Sequence, residues 1–63
     1  MTEEKIEEKL EQIKDQCERI SDLLMNIYFS IKDKNKKKEY RYILGAAGRA
    51  YESYCILKNR HWY

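Results

Sequence analysis

The stretch Ile6–Ile31, IEEKLEQIKDQCERISDLLMNIYFSI, decides how this chain folds. Its apolar residues Ile6, Leu10, Ile13, Cys17, Ile20, Leu24, Ile27 and Ile31 follow one another at spacings that alternate between four and three. A strand would repeat every two residues; this pattern is a seven-residue repeat with an apolar seam, held for more than three heptads. Thr2 is a good N-cap, and Glu3 and Glu4 suit the positive end of a helix dipole. The spacing predicts a helix over about residues 3–32, roughly 45 Å long at 1.5 Å per residue.

The next segment, KDKNKKKE (Lys32–Glu39), holds five lysines and two acids and no apolar residue. Asp33 and Asn35 are turn or cap formers, so a short turn at about 33–36 is expected. So short a connection reverses the chain into an antiparallel neighbour. Beyond it the heptad returns: Tyr40, Ile43, Ala47, Ala50, Tyr54, Leu57 and His61 are spaced 3, 4, 3, 4, 3 and 4, predicting a second helix over about 36–60. With the turn centred on Asn35, Ile31 faces Tyr40, Leu24 faces Ala47, Ile20 faces Ala50 and Cys17 faces Tyr54. Large residues then meet small ones layer by layer, which fills a bundle core without voids.

Within the second helix, LGAAGRAY (Leu44–Tyr51) places two glycines where each costs about 1 kcal/mol relative to alanine. Ala47 and Ala50 belong to the seam. Gly45, Ala46 and Gly48 thin its flanks, a pattern that suits close approach of another helix.

A 63-residue chain is one domain at most, and so short a chain buries a small fraction of its surface when it folds alone. Charged residues are 38% and hydrophobic ones 43%, with no proline, the composition of long helices. A lone hairpin would leave Leu23, Tyr28, Leu44 and Tyr51 beside an incompletely covered seam. The predicted architecture is therefore an all-α antiparallel hairpin that dimerises into a four-helix bundle. Its core would comprise Leu10, Ile13, Cys17, Ile20, Leu24, Ile27, Ile31, Tyr40, Ile43, Ala47, Ala50, Tyr54 and Leu57.

No apolar run approaches the roughly 18 to 20 residues of a membrane span, and the N-terminus is too acidic for a signal peptide, so a cytoplasmic location is expected. Cys17 and Cys55 have neither a CxxC nor a zinc spacing and read as two small, half-buried side chains.

Chemistry finds little support. GAAG matches the GxxG of nucleotide-clamping KH loops, but those sit on a sheet, and no strand is expected here. The phosphate-binding patterns GxxxxGK[ST] and GxGxxG are absent. His61 stands alone near the chain end with no nucleophile or carboxylate set beside it by spacing. The carboxylates of the first helix alternate with Lys5, Lys9, Lys14 and Arg19 and read as a solvated face. No enzyme, cofactor or metal site is predicted.

Charge divides the chain. Residues 1–31 carry eight acids and four bases, and residues 32–63 nine bases and three acids. The basic cluster Lys34, Lys36, Lys37, Lys38 and Arg41 could neutralise phosphates, which makes nucleic acid an alternative ligand, opposed by the acidic first helix. A protein partner fits better. Met25 and Phe29 are four apart on the side of the first helix turned from the seam, and Tyr42, Arg49, Ile56 and Tyr63 share one heptad position on the second, with Trp62 nearby. Aromatic residues, Met and Arg are enriched at interface hot spots. The predicted contact residues are Met25, Phe29, Tyr42, Arg49, Ile56 and Trp62.

Taken together, KIEEKLEQIKDQCERISDLLMNIYFSIK, DKNKKKE and YILGAAGRAYESYCILKNRHWY resemble the small helical-hairpin proteins of the spindle-shaped viruses (fuselloviruses) of hyperthermophilic archaea. The resemblance implies a homodimeric antiparallel four-helix bundle similar to that of the plasmid-copy-number regulator Rop. It also implies an adaptor role, through a host or viral protein, in an infected cell. A hyperthermophilic source would favour cysteine oxidation, although Cys17 in the seam and Cys55 turned from it do not suit an intrachain bridge. The alternative is a Rop-like RNA-binding regulator.

Overall fold

The structure, a computed structural model, describes residues 2–62, except for the side chain of Trp62. Its longest element is α1, Glu3–Ser30. Thr2 caps it in extended conformation, its hydroxyl accepting from the Lys5 N–H at 3.4 Å. At the other end Ile31 leaves the helix with an extended backbone and donates back to the Tyr28 carbonyl, while the Ser30 hydroxyl takes up the Ile27 carbonyl at 2.7 Å. These bonds satisfy carbonyls that a helix end otherwise leaves bare.

The reversal occupies Ile31–Asp33, earlier than the expected 33–36. Asp33 explains the shift: its carboxylate accepts from the Asn35 N–H at 2.8 Å and its carbonyl from the Lys37 N–H, so a new helix starts at once. That helix, α2, is the six residues Lys34–Glu39. The predicted single second helix is divided, since the chain bends at Tyr40 and Arg41 before α3, Tyr42–Lys58. Bonds tighten to three-residue spans through the bend, from Arg41 to Lys38, Ile43 to Tyr40 and Leu44 to Arg41. The sequence of α2, KNKKKE, has no apolar residue to seat on α1, whereas α3 does. The bend lets α3 lie along α1 while α2 forms the tip.

Asn59 ends α3, its backbone and side-chain amides both donating to the Cys55 carbonyl at 3.1 Å. A short 3-10 turn, Arg60–Trp62, follows. Among the described residues every element is helical. The molecule measures 49 × 18 × 14 Å, one layer of two antiparallel helices with α1 packed against α3.

The interior is very small. Only Ser21, Ile43 and Ala47 are buried among the described residues, and no large side chain is wholly covered. Leu10, Cys17, Leu24, Ile31, Ala50, Tyr54 and Leu57 are half-buried, as the heptad led one to expect. Four of the predicted core residues, Ile13, Ile20, Ile27 and Tyr40, are instead exposed in the hairpin. The register also differs: the Ser21 hydroxyl donates to the Ala47 carbonyl at 3.1 Å, so Ala47 lies opposite Ser21, three residues before Leu24. A reversal centred on Lys32 in place of Asn35 accounts for the direction of this shift.

Candidate interaction surfaces

A heptad helix offers a partner two apolar columns, and α3 covers only one of them. The half-buried column Leu10, Cys17, Leu24 and Ile31 meets α3 together with Glu7, Lys14, Ser21 and Tyr28, each also less exposed than its neighbours. Both sets repeat every seven residues and so run straight along α1. The second apolar column, Ile6, Ile13, Ile20 and Ile27, also repeats every seven residues, and it is 44–52% exposed from end to end. Leu23 beside it is exposed as well. The hairpin therefore carries an isoleucine ladder along one edge of α1 that stays about half exposed from end to end. Scattered apolar residues on a surface need no explanation, but an unbroken ladder beside so small an interior is a candidate interaction face.

The predicted contact residues do not form one patch. Met25 is half-buried, while Phe29 is exposed and meets Tyr28 edge-on with ring centroids 5.8 Å apart. Tyr42, Arg49 and Ile56 are all exposed along α3, Arg49 within 3.5 Å of the Glu52 carboxylate. Among the described residues no hydrogen bond, ion pair or ring contact joins the α1 pair to the α3 column. Tyr63 and the side chain of Trp62 lie outside the described residues.

The glycines have a different setting from the one expected. A Cβ built on Gly45 or Gly48 would meet nothing within 4 Å, and neither has a positive φ. Within the hairpin, then, no helix approaches close enough to require them.

Basic residues gather at the closed end. Lys37 turns inward, its ammonium 5.5 Å from the centroid of the Tyr28 ring, and so fastens α2 to α1. Lys36 pairs with Glu39 at 3.7 Å. Lys34, Lys38 and Arg41 are exposed with no carboxylate within ion-pairing distance among the described residues. Tyr40 and Tyr42 flank Arg41, with ring centroids 6.0 Å apart.

At the open end the structure shows a cluster that the periodicity did not reveal. The Arg60 guanidinium donates to the Glu7 carboxylate at 3.0 and 2.7 Å, to Glu11 at 3.0 Å, and to the Leu57 carbonyl. Lys14 donates to Glu11 from the other side at 2.8 Å. The Lys14 ammonium, and then Arg60, hold the Glu11 carboxyl below its ordinary value, while Glu11 raises Lys14 and Glu7 raises Arg60. Two carboxylates expected to be solvated thus tie the C-terminal turn to α1. Around them Glu3, Glu4, Glu8 and exposed His61 complete an open cleft of about 710 Å³.

Cys17 and Cys55 are unpaired and half-buried. The neighbouring Cys55 pushes the Tyr51 phenol upward by disfavouring a second negative charge. Among the described residues no group of three His, Cys, Asp or Glu side chains is placed to hold a metal, and no helix is long and apolar enough to cross a membrane.

The chain matches no protein-family model, no curated protein and no solved structure.

Proposed function

We propose that the chain is a non-enzymatic adaptor that acts as a homodimer in the cytoplasm of an infected host cell. Two hairpins pair through their isoleucine ladders into a Rop-like four-helix bundle, and their outer faces hold a host or viral protein. The observation that carries this reading is the ladder Ile6–Ile13–Ile20–Ile27, exposed along α1 in a hairpin whose described residues bury only Ser21, Ile43 and Ala47. Covering a surface apolar column is the dominant favourable term in association, and a two-fold pairing covers both copies of the same column at once. The host-cell setting rests on the resemblance to viral hairpin proteins.

A two-fold dimer presents each outer surface twice. Tyr42, Arg49 and Ile56 on α3, with Phe29 on α1, supply exposed residue types that anchor protein interfaces. Two copies let the dimer bridge two partners or bind one bivalently, which raises avidity without new contacts.

Immobilised protein incubated with host lysate tests the adaptor role. The expected result is one retained species, released when Tyr42→Ala and Arg49→Ala are combined and weakened when Ile20→Asp divides the dimer. Retention unaffected by both changes would overturn it.

A further inference from the structure

We infer that the closed end of the hairpin is a binding tip for single-stranded nucleic acid, with cations on α2 holding phosphates and the Tyr40–Tyr42 pair stacking on bases. This goes beyond the adaptor reading and shares only Tyr42 with the face proposed there.

The cations come first. Of the six basic residues between Lys32 and Arg41, Lys37 is committed to the Tyr28 ring and Lys36 to Glu39. The other acid of the tip, Asp33, is occupied in capping α2. Lys34 and Lys38 are four apart on α2 and so share one side of it, and Arg41 follows at the bend, all exposed. Holding like charges this close in a short helix with no apolar residue of its own costs stability. A polyanion would relieve that cost.

The aromatic pair narrows the ligand. Tyr42 is 68% exposed, and Tyr40 is 41% exposed with its ring against it. Nothing in the hairpin requires two exposed tyrosines on either side of an arginine at this point. Their π-faces and the guanidinium plane suit unpaired bases, which stack on such groups whatever their identity. An acidic peptide would use the cations but leave the rings idle. A membrane surface would call for aliphatic side chains at the tip, and the segment Lys32–Tyr42 has none.

Geometry limits the footprint. Glu3, Glu4, Glu7, Glu8 and Glu11 lie at the opposite end of a rod 49 Å long, so a strand laid along the molecule would run into negative charge. The ligand must meet the tip end-on, and a flexible single strand or loop does this more readily than a stiff duplex.

Fluorescence anisotropy with labelled oligo(dT) and oligo(rU), from about 50 to 200 mM salt, tests the proposal. Binding should weaken linearly on a log–log plot. Each single-strand phosphate contact contributes about 0.7 to that slope, so Lys34→Gln, Lys38→Gln and Arg41→Gln together should lower it by about 2. Tyr42→Ala should weaken binding about fivefold or more with the slope unchanged, and Tyr42→Phe should restore it. All of these side chains are exposed, so circular dichroism should show unaltered helix. An unchanged slope in the triple variant, Tyr42→Ala without effect, or equal binding of duplex DNA, polyglutamate or anionic phosphatidylserine vesicles would overturn the proposal. So would a change of oligomeric mass in the triple variant, which would show that a second copy occupies the tip. A wild-type chain that stays monomeric yet binds oligonucleotide as expected would count against the adaptor reading alone.

Discussion

The Ser21 hydroxyl donates to the Ala47 carbonyl at 3.1 Å, joining the two residues that lie deepest between α1 and α3. It is the one buried side-chain hydrogen bond across the hairpin among the described residues, and it fixes the register of the two helices. Removing the hydroxyl with Ser21→Ala should cost about 1 kcal/mol, because the Ala47 carbonyl keeps its place in the α3 ladder and loses only its second donor. Urea titration followed by circular dichroism reads the change. No loss at all would mean that the register is set elsewhere.

Ala47 is 1% exposed, so a larger side chain there has no room. Ala47→Leu should overpack the layer against Ser21 and destabilise by about 1–3 kcal/mol. The same substitution at Ala46, which is exposed, should leave the urea midpoint nearly unchanged. Equal effects at both positions would contradict the observed orientation of α3.

The Glu7–Arg60–Glu11–Lys14 cluster makes stability depend on pH. Glu11 has its carboxyl lowered on folding by Lys14 first and Arg60 second. Its contribution is complete above the unfolded value of 4.5 and is lost as pH falls through the lower, folded value. The urea midpoint should therefore hold from neutral pH down to about 4.5 and decline below it. Arg60→Met combined with Lys14→Met should flatten that decline. An acid limb of the same steepness in the double variant would show that other carboxylates cause it.

Gly45 and Gly48 are unencumbered helical positions in the hairpin. Replacing each by alanine should stabilise α3 by up to about 1 kcal/mol. Thermal denaturation should show the rise, and the dimer mass should persist, because the proposed pairing runs through the isoleucine ladder of α1. Loss of the dimer in Gly45→Ala or Gly48→Ala would place the second copy against the glycine side of α3.

Much of the fold was legible because the heptad on α1 is uninterrupted and Thr2 and Asp33 mark helix starts by their side-chain chemistry. Periodicity also marked Ile13, Ile20 and Ile27 as core, since apolar spacing reports which residues seek cover and not which neighbour supplies it. The division of the second helix at Tyr40–Arg41 has no local signal because neither residue is a breaker; the bend follows from α3 seating on α1 while polar α2 does not. Arg60 was hidden for a different reason. Its partners Glu7 and Glu11 are 53 and 49 residues away, a relationship that exists only once the hairpin closes. The one available hint was acidic residues at the start of one helix and a lone arginine at the end of an antiparallel other.

Sedimentation equilibrium shows whether two hairpins pair through the ladder Ile6, Ile13, Ile20 and Ile27. The wild-type protein should have twice the 7.7 kDa mass of the chain, and Ile20→Asp, which touches a side chain 49% exposed in the hairpin, should return it to the mass of one. A wild-type mass of a single chain across the micromolar range, or an Ile20→Asp variant that remains dimeric, would rule this pairing out.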